Sequence, residues 1–222
     1  MPGWTMAPPC PPDRPRANRV QPDGTFLATP ARGQFTGNRG ILHDASGAMG
    51  RARWRHKAWI TCTTRPRPGR APLPMAAPGH YTPLFFLDEA VACAAGHRPC
   101  AECRRAVWRD FAAAWGRAFG AIPRAPEVDA VLHAARIDPA TRTQRRHAAE
   151  PATLPDGAFI LLAGAPHLLA NGAALPYAPG GYGPARALPA GPVTVLTPDP
   201  LVAVMREGWR PALAPTEDRP GW

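Results

Sequence analysis

Cys100 and Cys103 stand three positions apart in "GHRPCAECRR", residues 96–105, with arginines on both sides. A C-x-x-C pair serves one of two chemistries. As thiolates, the two sulfurs grip one edge of a tetrahedral zinc ion, which takes four nitrogen or sulfur ligands at about 2.0–2.3 Å. As a redox couple they cycle through a disulfide, a role that belongs to a βαβ setting with the first cysteine at the end of a strand. Here a predicted helix, an arginine and a proline come before the pair, and the nearest strand-like run, "PLFFL", lies one helix further back. Two unligated cysteines at a helix start are the plain alternative. A helix N-terminus and adjacent arginines favour thiolate, so zinc is the expected cofactor.

Other residues of chemical interest are fewer. Of the 26 basic residues, all but Lys57 are arginine. Lysine can lose its proton when buried and arginine cannot, which makes Lys57 a candidate acid/base group beside the ordinary surface role. "GNRGILHD" sets His43 next to Asp44, an acid/base or metal-ligand pair. The same composition suits a turn. "VLHAARIDPATRTQRRH" contributes His133, a further acid/base candidate, and the basic residues Arg136, Arg145, Arg146 and His147, which are either a solvated face or a set of phosphate contacts. No Walker loop, dinucleotide-binding glycine pattern or G-x-S-x-G is present, which excludes those nucleotide-binding and hydrolase classes; "GGYGPAR" has no helix after it.

The elements that must position these residues read as an α+β chain, with mixed antiparallel strands and short helices. "TFLA" is a short strand, "DASG" the turn of a hairpin, and "KAWITC" a strand with Lys57, Trp59 and Thr61 on one side and Ala58, Ile60 and Cys62 on the other. "PLFFL" is a buried strand, and Asp88 caps a helix over 89–95 that Gly96 ends. A second helix begins near Cys100; Val107, Trp108, Phe111, Trp115 and Phe119 recur on one face, as core packing requires. A helix follows over 126–136. Paired strands lie within "GAFILLAGAPHLLANGAALPY", "VTVL" is a last strand, and a last helix in "PDPLVAVMREG" has Thr197 as its cap. Four segments are expected: a proline-rich tail over 1–18, a zinc-binding α+β part over 19–125, a C-terminal α+β part over 126–212 packed on it, and a tail over 213–222.

Composition narrows the class. The chain has 222 residues and a formal charge of +10, which suits an anionic partner, nucleic acid first. Five cysteines, an odd number without a dense framework, argue for a reducing compartment. No apolar signal core opens the sequence and no run approaches membrane-spanning length, so a soluble cytoplasmic protein is expected, with no membrane partner.

The stretch "LFFLDEAVACAAGHRPCAECRR" resembles the second half of the zinc-binding domain of the bacterial adaptive-response DNA repair family, Ada. In that family a phenylalanine-rich strand leads to a short acid-capped helix and then to an "AAG-aromatic-RPC-x-x-C" element; here His97 takes the aromatic position. The likeness covers residues 84–105. It implies an Ada-like zinc knuckle, with "KAWITCTT" matching the strand that carries the family's other cysteines, and so Cys62, Cys100 and Cys103 as ligands. The family's upstream pair is C-x-x-x-C, and this chain has only Cys62 there, since residue 58 is alanine and residue 66 proline. A fourth ligand must come from elsewhere or be water. His43, His80, His97 and Cys93 are in range by sequence, with His43 or His80 favoured. The family's methyl-accepting role would fall to Cys62. The wider layout, from "ANRV" through "VTVLTP", resembles a group of bacterial proteins and assigns no activity.

The expected function is zinc and nucleic-acid binding, DNA in particular, in repair or processing. Arg98, Arg104 and Arg105 would face phosphates beside the metal, and the arm with Arg65, Arg67 and Arg70 would add contacts. Two alternatives stand beside it. One is a zinc-stabilised enzyme acting on a nucleotide or nucleic acid, with Lys57, His43, Asp44 or His133 as acid/base groups. The other is a structural zinc protein that binds a protein partner.

Overall fold

A computed structural model describes residues 15–64 and 79–215. The expected arm with Arg65, Arg67 and Arg70, and most of both expected tails, lie outside the described residues. The first half builds one sheet from β1 (Arg19–Val20), β2 (Phe26–Leu27), β3 (Phe35–Asn38), β4 (Ile60–Thr63), β5 (Leu84–Phe86) and β6 (Arg98–Pro99), in the order β2-β1-β5-β3-β4-β6. Two of its pairings are parallel, β1 with β5 and β4 with β6. The rest are antiparallel. Gly37 in β3 allows this packing: a Cβ there would sit 2.6 Å from the Phe86 ring and 2.7 Å from the Ile60 carbonyl oxygen.

The second sheet is antiparallel throughout: β7 (His147–Ala149), β8 (Phe159–Leu162), β9 (Ala165–Ala170), β10 (Ala173–Ala178), β11 (Gly181–Tyr182) and β12 (Val193–Val195), ordered β11-β10-β9-β8-β12-β7. Two of its hairpins turn at Ala163-Gly164 and Asn171-Gly172, where both residues of each pair have positive φ. That is the turn whose twist matches paired strands, and Asn-Gly is its strongest sequence signal.

Helix α1 (Glu89–Ala94) lies between the sheets: its alanines and Val91 share one core with Val20, Phe35 and Phe86 of the first sheet and Phe159, Leu168 and Leu196 beside the second. Asp88 caps it, accepting from Val91 N–H at 2.9 Å, and also accepts from the Tyr182 hydroxyl at 2.7 Å and Ala214 N–H at 3.0 Å. A second core joins α2 (Arg105–Phe119), α3 (Ala125–Arg136) and α4 (Asp199–Arg206) through Phe111, Trp115, Leu132, Leu201, Met205 and Trp209. Hence α2 and α3, from either side of the expected boundary at 125/126, share one hydrophobic cluster. No helix among the described residues is long and apolar enough to cross a membrane.

The α+β class agrees with the sequence, and so do the strands at "PLFFL", "FILL" and "VTV" and the Asp88 cap. Three local expectations change. The strand expected at "KAWITC" is β4, Ile60–Thr63, so Lys57, Ala58 and Trp59 precede it. The second helix starts at Arg105 rather than near Cys100, because residues 101–104 form the turn that carries the cysteines. Thr197 is not the cap of the last helix; the N-cap is Pro198, and the Thr197 hydroxyl accepts from Phe159 N–H at 2.9 Å, tying the helix start to β8.

Candidate metal centre

The parallel pairing of β4 with β6 matches Ile60 to Arg98 and Thr61 to Pro99, and Cys100 N–H donates to the Thr61 carbonyl at 3.0 Å. That register carries Cys62 up to Cys100, and the turn after β6 brings Cys103 back to both. The three sulfurs lie within 4.8 Å of one another. Tetrahedral zinc with ~2.3 Å bonds to sulfur wants them roughly 3.8 Å apart, so the site closes with a contraction of about 1 Å at most. Cys103 N–H donates to the Cys100 sulfur at 3.3 Å. The Cys62 thiol, and then the backbone N–H groups of Cys103 and Glu102, lower the Cys100 thiol to about 5 against the effect of burial. Cys62 is pushed up, first by its hydrogen bond to Cys100 and then by burial. The hydrogen bonds at Cys100 thus favour its thiolate, and the proton the two sulfurs share is drawn toward Cys62. The donor set fits zinc: three soft sulfur ligands, with a turn that points the Cys103 N–H at the Cys100 sulfur.

Among the described residues no fourth His, Cys, Asp or Glu joins the three. His43 is not brought to them: its Nδ1 is 2.6 Å from the Thr82 hydroxyl, and its backbone pairs with Met49 across the turn. Cys93 lies in the helical core with Phe111 and Trp115. His97 is fully buried and occupied at both ring nitrogens, with Nδ1 3.0 Å from the Ile60 carbonyl and Nε2 accepting from Arg39 Nε at 2.8 Å. Burial, and then the Arg39 charge, hold it well below the usual histidine range, so it is neutral. Tyr81 lies near the cluster: burial, and then the charges of Cys62 and Cys103, raise its hydroxyl. Of the three cysteines Cys103 is exposed and Cys62 half-buried.

Comparison of the chain with protein-family models, curated proteins and solved structures finds no match.

The arginines beside the cysteines divide. Arg98 is buried and grips Asp129 of α3 bidentately at 2.8 and 2.7 Å, with its guanidinium 5.0 Å from the Trp108 ring centre. Arg104 holds both oxygens of buried Glu89. A guanidinium engaged in this way has its paired donors filled, so neither offers the phosphate contact expected of it. Arg105 is exposed on α2.

The acid/base candidates fall in two places. Asp44 folds its own turn, accepting from Ser46 N–H, the Ser46 hydroxyl and Ala48 N–H, and it is lowered chiefly by the Ser46 hydroxyl. With His43 bonded to Thr82, "LHDASG" is a turn rather than a poised pair. Lys57 is exposed. Its charge helps burial and Arg136 lower His133, whose Nδ1 is 3.3 Å from Arg136 NH2.

Three residues that come together only in the fold organise the space behind the motif. Arg39 and Arg136 stack on Trp59, their guanidinium carbons 3.9 and 3.8 Å from its ring centre. Two groups that close to one centre must take opposite faces. Arg136 donates to the carbonyls of Gly96 and Lys57. Gly96 (φ +84°) is required there, because a Cβ would meet the Arg136 side chain at 2.5 Å. In the sequence Arg39 stood out only beside His43 and Asp44, Arg136 only as one of the basic residues that run on to Arg145 and Arg146, and Trp59 only as one face of a strand.

Proposed function

We propose that the protein binds one zinc ion through Cys62, Cys100 and Cys103 in an Ada-like knuckle, and that it acts on nucleic acid, DNA first. The convergence of three sulfurs, one of them 38 residues before the next in sequence, carries the zinc reading. Bound zinc would keep the sulfurs as thiolates at neutral pH and hold β4 to the turn after β6. The fourth position would go to solvent or to a residue near His80. The nucleic-acid reading is supported by the net charge of +10 and by Arg105 on the exposed start of α2 beside the knuckle. It no longer draws on Arg98 or Arg104, which serve the fold.

One purified preparation tests both. It should contain about one zinc per chain, and Cys100→Ser should lower zinc content and stability together, because structural zinc is coupled to folding. Metal-free protein that folds identically in chelator would sink the zinc reading. Binding of a DNA duplex should weaken steeply between roughly 50 and 200 mM salt, and Arg105→Ala should reduce the slope by about one unit. An equal effect from Arg186→Ala, on an exposed loop of the second sheet, would mean diffuse charge and no interface.

A further inference from the structure

The Arg39–Trp59–Arg136 stack forms part of the wall of a cavity of about 750 Å³. Among the described residues its rim adds Arg53, Arg142, Arg145 and Arg146, against Asp23 and Asp138. The size is that of a small-molecule site, within the ordinary range of roughly 300–1,000 Å³.

The buried charges here lack what the knuckle arginines have. Arg39 and Arg136 are each 1 % exposed. Among the described residues neither has a carboxylate at ion-pair distance. Arg39 is met by a neutral histidine, the Ala95 carbonyl and, at 3.4 Å, the Gly24 carbonyl. Arg136 Nε is buried with no acceptor among the described residues. Burying a charge without a counter-ion is costly, and an orphaned buried donor calls for a cause. Burial first, and then the charges of Arg136 and Arg53, hold Arg39 well below the guanidinium range; Arg136 is lowered to about 9, again chiefly by burial. A dianion at the edge of the Trp59 ring, within reach of the guanidinium group on each face, would relieve both.

The same wall also offers an acceptor. Gln144 Nε2 donates toward the carbonyls of Pro22, Ala94 and Leu196, which fixes the orientation of its amide. Its Oε1 is left buried without a donor. Trp54 stands at the rim, with the Arg142 guanidinium 4.9 Å from its ring centre. Guanidinium donors, an amide acceptor and indole surface in one cavity match a ligand that carries a phosphate, an N–H-donating edge and a flat ring.

We propose that this cavity binds a nucleoside phosphomonoester, with its phosphate on Arg39 and Arg136 and its base edge toward Gln144. The site rests on its own residues and not on the knuckle, so it stands or falls apart from zinc. The ligand can be a free nucleotide or the 5′-phosphorylated end of a strand, and the chemistry presented to the cavity is the same.

The test is calorimetric titration of the full chain with AMP, GMP, CMP and UMP, with adenosine, ribose 5-phosphate and inorganic phosphate, and with one oligonucleotide with and without a 5′-phosphate. At least one nucleotide should bind saturably at one per chain, and adenosine, ribose 5-phosphate and inorganic phosphate should each bind about tenfold more weakly or worse, the loss expected for one charge-assisted contact. Arg39→Met risks the fold, so the informative variant is Arg146→Ala on the exposed rim. It should weaken nucleotide binding about tenfold while Arg109→Ala, an equal loss of charge on exposed α2, leaves it unchanged. A phosphorylated oligonucleotide that outcompetes the mononucleotide identifies the strand end as the source; the reverse identifies the free nucleotide. The proposal is overturned by no saturable binding up to roughly 10 mM, by inorganic phosphate binding as tightly as any nucleotide, by equal binding of the two oligonucleotides without mononucleotide binding, or by equal losses in the two variants.

Discussion

The arginines beside the cysteines and the arginines around Trp59 come from the same composition, yet they meet different partners. Arg98 and Arg104 each face a buried carboxylate, Asp129 and Glu89, at side-chain exposures of 5%/8% and 9%/1%. Arg39 and Arg136 are at least as buried and meet an indole, a neutral imidazole and carbonyl oxygens. The first pair is finished chemistry: its charge is cancelled inside the protein and it braces β6 and α1. The second keeps its charge. In an arginine-rich chain, therefore, net charge points to no surface, and the presence or absence of a counter-ion separates struts from sites.

That contrast can be broken by experiment. The largest effect should come from Asp129→Ala, which leaves Arg98 buried and unpaired; unfolding in denaturant should show a loss of about 3–5 kcal/mol. A loss near zero would mean that Arg98 escapes to solvent and was never a strut. Next, a nucleotide at a hundredfold excess over its Kd should raise the stability of the wild type by about 2.7 kcal/mol, and the Arg146→Ala variant should gain less at the same concentration. A third handle is pH. His97 is neutral in the fold, with its affinity for protons depressed, while the unfolded chain takes a proton near pH 6.5. Stability from this group is therefore complete above about pH 6.5 and falls as pH drops below it, by up to about 1.4 kcal/mol per pH unit. His97→Gln should flatten that part of the stability curve between about pH 6.5 and 5. An unchanged slope would mean that Arg39 does not depend on an uncharged acceptor there. The smallest effect should be Arg105→Ala, within about 0.5 kcal/mol of wild type, since it is exposed and has no ion-pair partner among the described residues.

Much of this was legible from local pattern, and the failures share one cause. Alternation and turn residues marked β8, β9 and β10, and an acid followed by alanines and a glycine marked α1. The strands β1, β3, β6 and β7 are two to four residues long and owe their existence to partners far away; "RP" is a strand only because β4 lies beside it. The site divides in the same way. Spacing alone marked Cys100 and Cys103, and Cys62 entered through a likeness to the Ada strand. The geometry brings all three sulfurs together but leaves His43 at its turn. Whether an arginine has an acid opposite is set across 31 residues for Arg98 and Asp129, and no periodicity encodes that. The basic run near 145 was visible as charge; that it rims a cavity floored by Arg39 was not.

The cap on α1 has a consequence for synthesis. Asp88 and Glu89 are both buried, and part of what satisfies them is delivered by Ala214 N–H and Ala212 N–H, 126 and 123 residues later. A ribosome releases the two acids long before their donors exist. Until the last described stretch emerges, the nascent first sheet must either keep α1 wet or bury carboxylates short of partners. The early half of the chain thus waits for the late half, and a fragment cut before residue 212 inherits the charges without the amides that settle them.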